Sequence, residues 1–148
     1  MNKRDKFVDT KLVDAFSSAT INHDNITNGI AIDISKYVAL AFVLIVTSRT
    51  AGNVKIQDVQ FADYAGFATN VKTFSTDDFL LPNDRYNQVD SAVDQTLLAA
   101  VGRKKLSLGN LMLNKQKFAR VRLLSANSAN LVANVELIAS EDKSPVAL

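Results

Sequence analysis

The segment Tyr37 to Val46, YVALAFVLIV, is apolar at every position and rich in β-branched and aromatic residues. Ten residues fall far short of the roughly 20 that a membrane-spanning helix requires. A run of this length and composition, closed by the turn-forming Arg49-Thr50-Ala51-Gly52-Asn53, reads as a central strand covered on both faces. One such strand commits the chain to a sheet, and the question becomes what pairs with it and what covers it.

The flanking sequence answers with period-2 alternation. Leu12 to Ile21 holds a first strand, followed by turn chemistry in Asn22-His23-Asp24-Asn25 and Asn28-Gly29. Gly29 to Ile34 places Ile30, Ile32 and Ile34 on one face and Ala31 and Asp33 on the other. Val54 and Ile56 alternate, then Val59 and Phe61 continue one residue out of phase, as a β-bulge requires. Phe67 to Phe74 and Lys105 to Leu108 add further strands. Phe118 to Ser125 and Leu131 to Ser140 read as a hairpin around Asn127-Ser128-Ala129, with Val121 facing Val135, Leu123 facing Ala133 and Arg120 facing Glu136.

Two stretches interrupt this rhythm. Ser75 to Gln95 contains Pro82 and many Asp and Asn residues, which predicts a long excursion from the sheet. Val89, Val93, Leu97 and Ala100 or Val101 fall at helical spacing, with Asp90 or Ser91 and Gly102 as caps, yet Leu97 to Val101 reads equally well as a strand. The ends lack a sustained period: residues 1–11 form an exposed, charged arm that extended would reach roughly 35 Å, and 141–148 a loose tail. The expected architecture is an all-β antiparallel sandwich of about eight strands over residues 12–140, jelly-roll-like, with an extended N-terminal arm.

Composition bounds the chemistry. At 148 residues the chain is one domain, able to bury roughly 70% of its unfolded surface. It has no Cys and one His, which leaves no thiolate nucleophile, no disulfide frame and no multi-histidine or Cys-ligated metal centre. A triad would have to use His23, which lies among turn residues with no glycine-flanked serine elbow anywhere. Asp77, Asp78, Asp84, Asp90 and Asp94 match no calcium-loop spacing and read as a solvated acidic loop.

Seventeen basic and fifteen acidic residues leave a net charge of +2, without the excess of a nucleic-acid binder. The most basic stretch, Arg103-Lys104-Lys105 with Lys115, Lys117, Arg120 and Arg122, is split by strand alternation and reads as polar strand faces and salt bridges. The basic start Met1 to Lys6 is followed by Phe7-Val8-Asp9-Thr10-Lys11, where an export signal would need an apolar core, so none is expected. The Asn25-Ile26-Thr27 acceptor pattern reads as a chance match. The expectation is a non-enzyme without cofactor or metal, and with no nucleic-acid, membrane or small-molecule partner.

Two blocks carry a resemblance. From Gly29 to Phe61 the chain runs as an Ile-Asp-Ile strand, the Tyr37 to Val46 strand, a Gly52 turn and a Val-Lys-Ile-Gln strand. From Lys105 to Ser140 it runs as a short alternating strand, the entry Lys117-Phe118-Ala119-Arg120-Val121-Arg122, a small polar turn and a long closing strand. Together they resemble the small jelly-roll decoration, or cement, proteins of tailed bacteriophage capsids, over about half the chain. Leu97 to Leu113 and the N-terminal arm depart from the pattern.

The resemblance implies a virion protein made in the host cytoplasm. It would bind the major capsid protein on the capsid exterior, commonly as a homo-trimer, and stabilise the shell. It assigns partner contacts to Lys3, Arg4, Lys6 and Phe7 of the arm, to Asp77 and Asp78 of the acidic excursion at an oligomer contact, and to Arg103, Lys104 and Lys105 against an acidic capsid surface. A host-attachment or carbohydrate-binding β-sandwich is the competing reading, for which 7% aromatics and no Trp are poor material despite Tyr64, Phe67 and Tyr86. A minor tail or head-completion protein is another.

Overall fold

The computed structural model describes residues 8–75, 96–108 and 116–142. Nine strands are present among them: β1 Val8–Ile21, β2 Ile26–Asn28, β3 Ile32–Asp33, β4 Tyr37–Ser48, β5 Ala51–Ala62, β6 Lys72–Ser75, β7 Gly102–Leu108, β8 Phe118–Ala129 and β9 Leu131–Asp142. One sheet has the order β1-β9-β4-β7, and the other the order β2-β8-β5-β6, with β3 also on β8. Every pairing is antiparallel.

β2 and β3 are two halves of one edge strand. Ile26–Asn28 lie opposite Leu124–Arg122, and Ile32 and Asp33 opposite Ala119 and Phe118, on the side of β8 not taken by β5. Between the halves the chain turns toward the other sheet. The Gly29 amide donates to the Val121 carbonyl of β8 at 2.7 Å, and the Ile30 amide to the Ala15 carbonyl of β1 at 2.8 Å. Gly29 is therefore required sterically: a Cβ there would sit 2.5 Å from the Ala15 oxygen and 2.8 Å from that of Val121.

With β2 and β3 counted together, the strand pairs nest: β1 with β9, β2/β3 with β8, β4 with β7, β5 with β6. A long hairpin folded back on itself and rolled into two sheets gives this order, which is that of a jelly roll. The expected fold class and strand number are observed.

The core lies between the two inner faces. Leu40, Phe42, Leu44 and Val46 of β4 and Leu131, Ala133, Val135, Leu137 and Ala139 of β9 point in from one sheet. Val54, Ile56, Val59 and Phe61 of β5 and Ala119, Val121 and Leu123 of β8 point in from the other. The phase change between Ile56 and Val59 coincides with a register shift between Ile56 and Asp58, the expected bulge. Thr96 and Leu98 continue the edge beside β5 where β6 ends. Leu98 exchanges backbone hydrogen bonds with Val54 at 2.8 and 3.0 Å, and the Thr96 hydroxyl accepts from the Ile56 amide at 3.0 Å. Of the expected strand over 97–101 only Leu98 pairs, as an isolated bridge to Val54, and residues 99–101 bend away; residues 76–95 lie outside the described residues.

Several expectations are corrected. β8 and β9 are not a hairpin: they belong to opposite sheets, so Arg120 stands opposite Gln60 of β5, and Glu136 opposite Asp14 and Val43. Their alternating apolar sets satisfy a core contact across the sandwich as well as they would a shared sheet face, and Asn127 and Asn130, with φ of 52° and 49°, help turn the chain between sheets.

The arm expected over 1–11 is already strand at Val8, because residues 8–11 pair with 142–139 of β9; that same pairing carries β9 two residues into the expected tail. Ile30 does not share the inward face of Ile32 and Ile34, since the turn at Gly29 and Ile30 breaks the alternation. Phe67 lies in a loop with φ of 51°, and the strand expected from it begins only at Lys72. The face of β4 away from the core is half covered, with Ala41 and Val43 intermediate and only Ile45 buried.

Candidate functional site

On the second sheet, the face turned away from the core carries a polar ladder. The bulge at Ile56/Asp58 puts Asp58 outward, directly opposite Arg122 of β8. Arg122 donates from Nε to Oδ1 at 2.7 Å and from Nη2 to Oδ2 at 2.5 Å, a bidentate pair in which the Asp58 side chain is 6% exposed. This bond to Asp58 raises the Arg122 pKa. One row along, the Gln60 amide donates to the Thr73 hydroxyl at 3.0 Å and its carbonyl accepts from Arg120 Nε at 2.9 Å. The Arg120 guanidinium lies 4.3 Å from the centre of the Phe67 ring. Burial, followed by the neighbouring Arg122, lowers the pKa of Arg120. These contacts fasten the loop after β5 onto the sheet.

On the first sheet, Arg103, Lys104 and Lys105 lie on β7 opposite Ile45, Leu44 and Val43, and all three are exposed. β7 is an edge of its sheet among the described residues, a position where exposed cations also discourage edge-to-edge pairing. The basic region defined in sequence is thereby divided: Arg103–Lys105 border the first sheet, while Arg120 and Arg122 are engaged on the second. Lys3, Arg4, Lys6, Phe7, Asp77 and Asp78 lie outside the described residues.

Sequence reasoning missed two features. One is the Asp58–Arg122 pair, whose members are 64 residues apart. The other is the pair Leu12 and Ile138, directly opposite one another on β1 and β9 and 68% and 36% exposed. A signal existed for the second: with Leu131 to Ala139 facing the core at odd positions, Ile138 breaks the polar outward series Asn134, Glu136 and Ser140.

His23 is exposed, and its backbone carbonyl accepts from the Ser125 hydroxyl at 2.6 Å, which holds the β1–β2 turn against β8. Among the described residues, no group of three or more His, Cys, Asp or Glu side chains is placed to hold a metal ion. What the described surface presents is contact area: one face of fixed polar pairs, and one on which exposed Leu12 and Ile138 adjoin Asp14 and Glu136.

No protein-family model matches the chain, and no curated protein matches it. Among solved structures it is similar to the SPBc2 prophage-derived protein YomS, at 12% identity and TM-score 0.49 over 90% of this chain and 95% of that one. It is also similar to a Bacillus endospore appendage structure, from a family of disulfide-linked pili, at 14% identity and TM-score 0.44 over 94% and 91%. A third is the C-terminal family 22 carbohydrate binding module of Clostridium thermocellum Xyn10B, at 7% identity and TM-score 0.37 over 95% and 86%. These likenesses assign no role to this chain.

Proposed function

We propose that the chain is a structural, non-enzymatic protein of a virion that binds the outside of a tailed-phage capsid and stabilises the shell. The observation that supports this reading is where the two resembling blocks fall in the fold. Gly29 to Phe61 supplies β3, β4 and β5, and Lys105 to Ser140 supplies β8 and most of β7 and β9, so the blocks together make the central strands of a jelly roll.

A rigid sandwich of this kind serves to hold surface in place, and many modest contacts repeated over a shell stabilise it by mass action and multivalency. Arg103 and Lys104, exposed at the β7 edge, offer cations to an acidic capsid surface. Lys3, Arg4, Lys6 and Phe7 precede β1 and supply a second contact.

The test is co-sedimentation of the purified chain with particles assembled from the shell protein of the same genome. Wild type is expected to sediment with them and to be released as salt rises. A chain lacking residues 1–7, which leaves β1 whole, and an Arg103→Glu/Lys104→Glu chain should each bind more weakly while melting as wild type does. Absence of wild-type binding would refute the reading.

A further inference from the structure

The outward face of the first sheet carries ordered rows of side chains across its strands. In one row Leu12 of β1 stands opposite Ile138 of β9, and Ile138 opposite Ala41 of β4. In the next, Asp14 of β1 stands opposite Glu136 of β9, Glu136 opposite Val43 of β4, and Val43 opposite Lys105 of β7. Two physical oddities meet here. Leu12 and Ile138 leave adjacent apolar surface in water. Asp14 and Glu136 are like charges directly opposite one another, an arrangement that destabilises a sheet. Neither acid meets a cation among the described residues, and the cation of their own row, Lys105, is three strand spacings from Asp14, roughly 14 Å away.

We infer that this face pairs with the same face of a second copy of the chain, about a two-fold axis running along the strands between β9 and β4. That operation reverses the strand order and keeps the rows aligned, apart from the modest rotation of packed sheets. It lays Asp14 of each copy over Lys105 of the other, and Ile138 over Ala41. Each acidic pair gains one cation, Lys105 over Asp14, with Glu136 over Val43 beside it, and the apolar row is covered in the same step. Charge complementarity selects the occupant: a face acidic at the β1 edge and basic at the β7 edge is its own complement under this rotation. Arg103, opposite Ile45, belongs to the next row of the same face, whereas Lys104, opposite Leu44, does not share it.

The footprint, four strands wide and about six residues long, is roughly 15 by 20 Å, or about 300 Å² a side, below the roughly 800 Å² per partner of stable complexes. The expected dimer is accordingly weak and reversible. This inference is independent of the virion reading, and it departs from the three-fold oligomer implied by the resemblance.

Sedimentation equilibrium of the full chain, from micromolar to millimolar concentration, tests it. A monomer–dimer equilibrium is expected. Asp14→Lys and Lys105→Asp should each weaken it about tenfold or more, and Ile138→Glu should abolish it. The double exchange Asp14→Lys/Lys105→Asp should restore it, and within one chain these two side chains are too far apart for that rescue. All three positions are on the surface, and circular dichroism melts check that the variants fold. A monomer at every concentration, a trimer, or a dimer insensitive to these substitutions would overturn the inference. The oligomeric state of the free chain is read without capsids, so its failure and that of co-sedimentation are distinguishable.

Discussion

Arg122 holds Asp58 across β8 and β5 with two near-parallel hydrogen bonds, at 2.7 and 2.5 Å, on the outward face of the second sheet. The pair depends on the β-bulge: if regular alternation ran on from Ile56, Asp58 two residues later would point into the apolar core. The two partners differ in depth, with side-chain exposures of 6% for Asp58 and 24% for Arg122. Removing the cation leaves a carboxylate with little water, whereas removing the carboxylate leaves a guanidinium that can swing outward. Arg122→Ala is expected to cost about 2–4 kcal/mol and Asp58→Ala less, with their double mutant close to the worse single. Urea unfolding of the three variants checks the order.

Gly29→Ala should cost about 1–3 kcal/mol, because the added Cβ meets two backbone carbonyl oxygens and not a side chain that can move. The damage should be local to the corner where the sheets are joined. Hydrogen exchange is expected to accelerate at Gly29 and Ile30, whose amides donate to Val121 and Ala15, before it does in β4.

Thr96→Val keeps the shape of a fully buried side chain but leaves the Ile56 amide without its acceptor. The expected loss is about 1–3 kcal/mol by thermal or urea unfolding, whereas Thr96→Ser should retain most of the stability.

Asp33 accepts from the Ser35 hydroxyl at 2.6 Å and from the Ser35 amide at 2.9 Å, and these bonds hold its carboxyl below the usual carboxylate range. A native pKa below the unfolded one means that the contribution to stability is complete above about pH 4 and is lost as pH falls through the native value. The group is exposed, so the effect is about 0.5 kcal/mol or less. Carbon-detected NMR titration should place the Asp33 midpoint below that of other exposed aspartates, and Ser35→Ala should raise it.

The sandwich was legible because strand alternation is a local signal, and the bulge because Ile56 and Val59 break phase within four residues. Sheet membership was harder to read: Val121 and Leu123 alternate identically whether they face Val135 and Ala133 within one sheet or across the core. Interaction surface was legible only in part. Three adjacent cations at 103–105 announce an exposed edge. Asp58 and Arg122 carry no mark that they will meet, and the strand expected over 12–21 leaves the facing of Leu12 open until the inward phase of Val13 and Ala15 turns it out.

The proposed capsid-surface role is tested most directly by the copy number of this chain in particles purified from cells that express its genome, by quantitative mass spectrometry with surface labelling. The account predicts an amount comparable with that of the shell protein, and Arg103, Lys104 or the N-terminal lysines protected relative to the free chain. Absence from the particles, or presence in only a handful of copies, would contradict it.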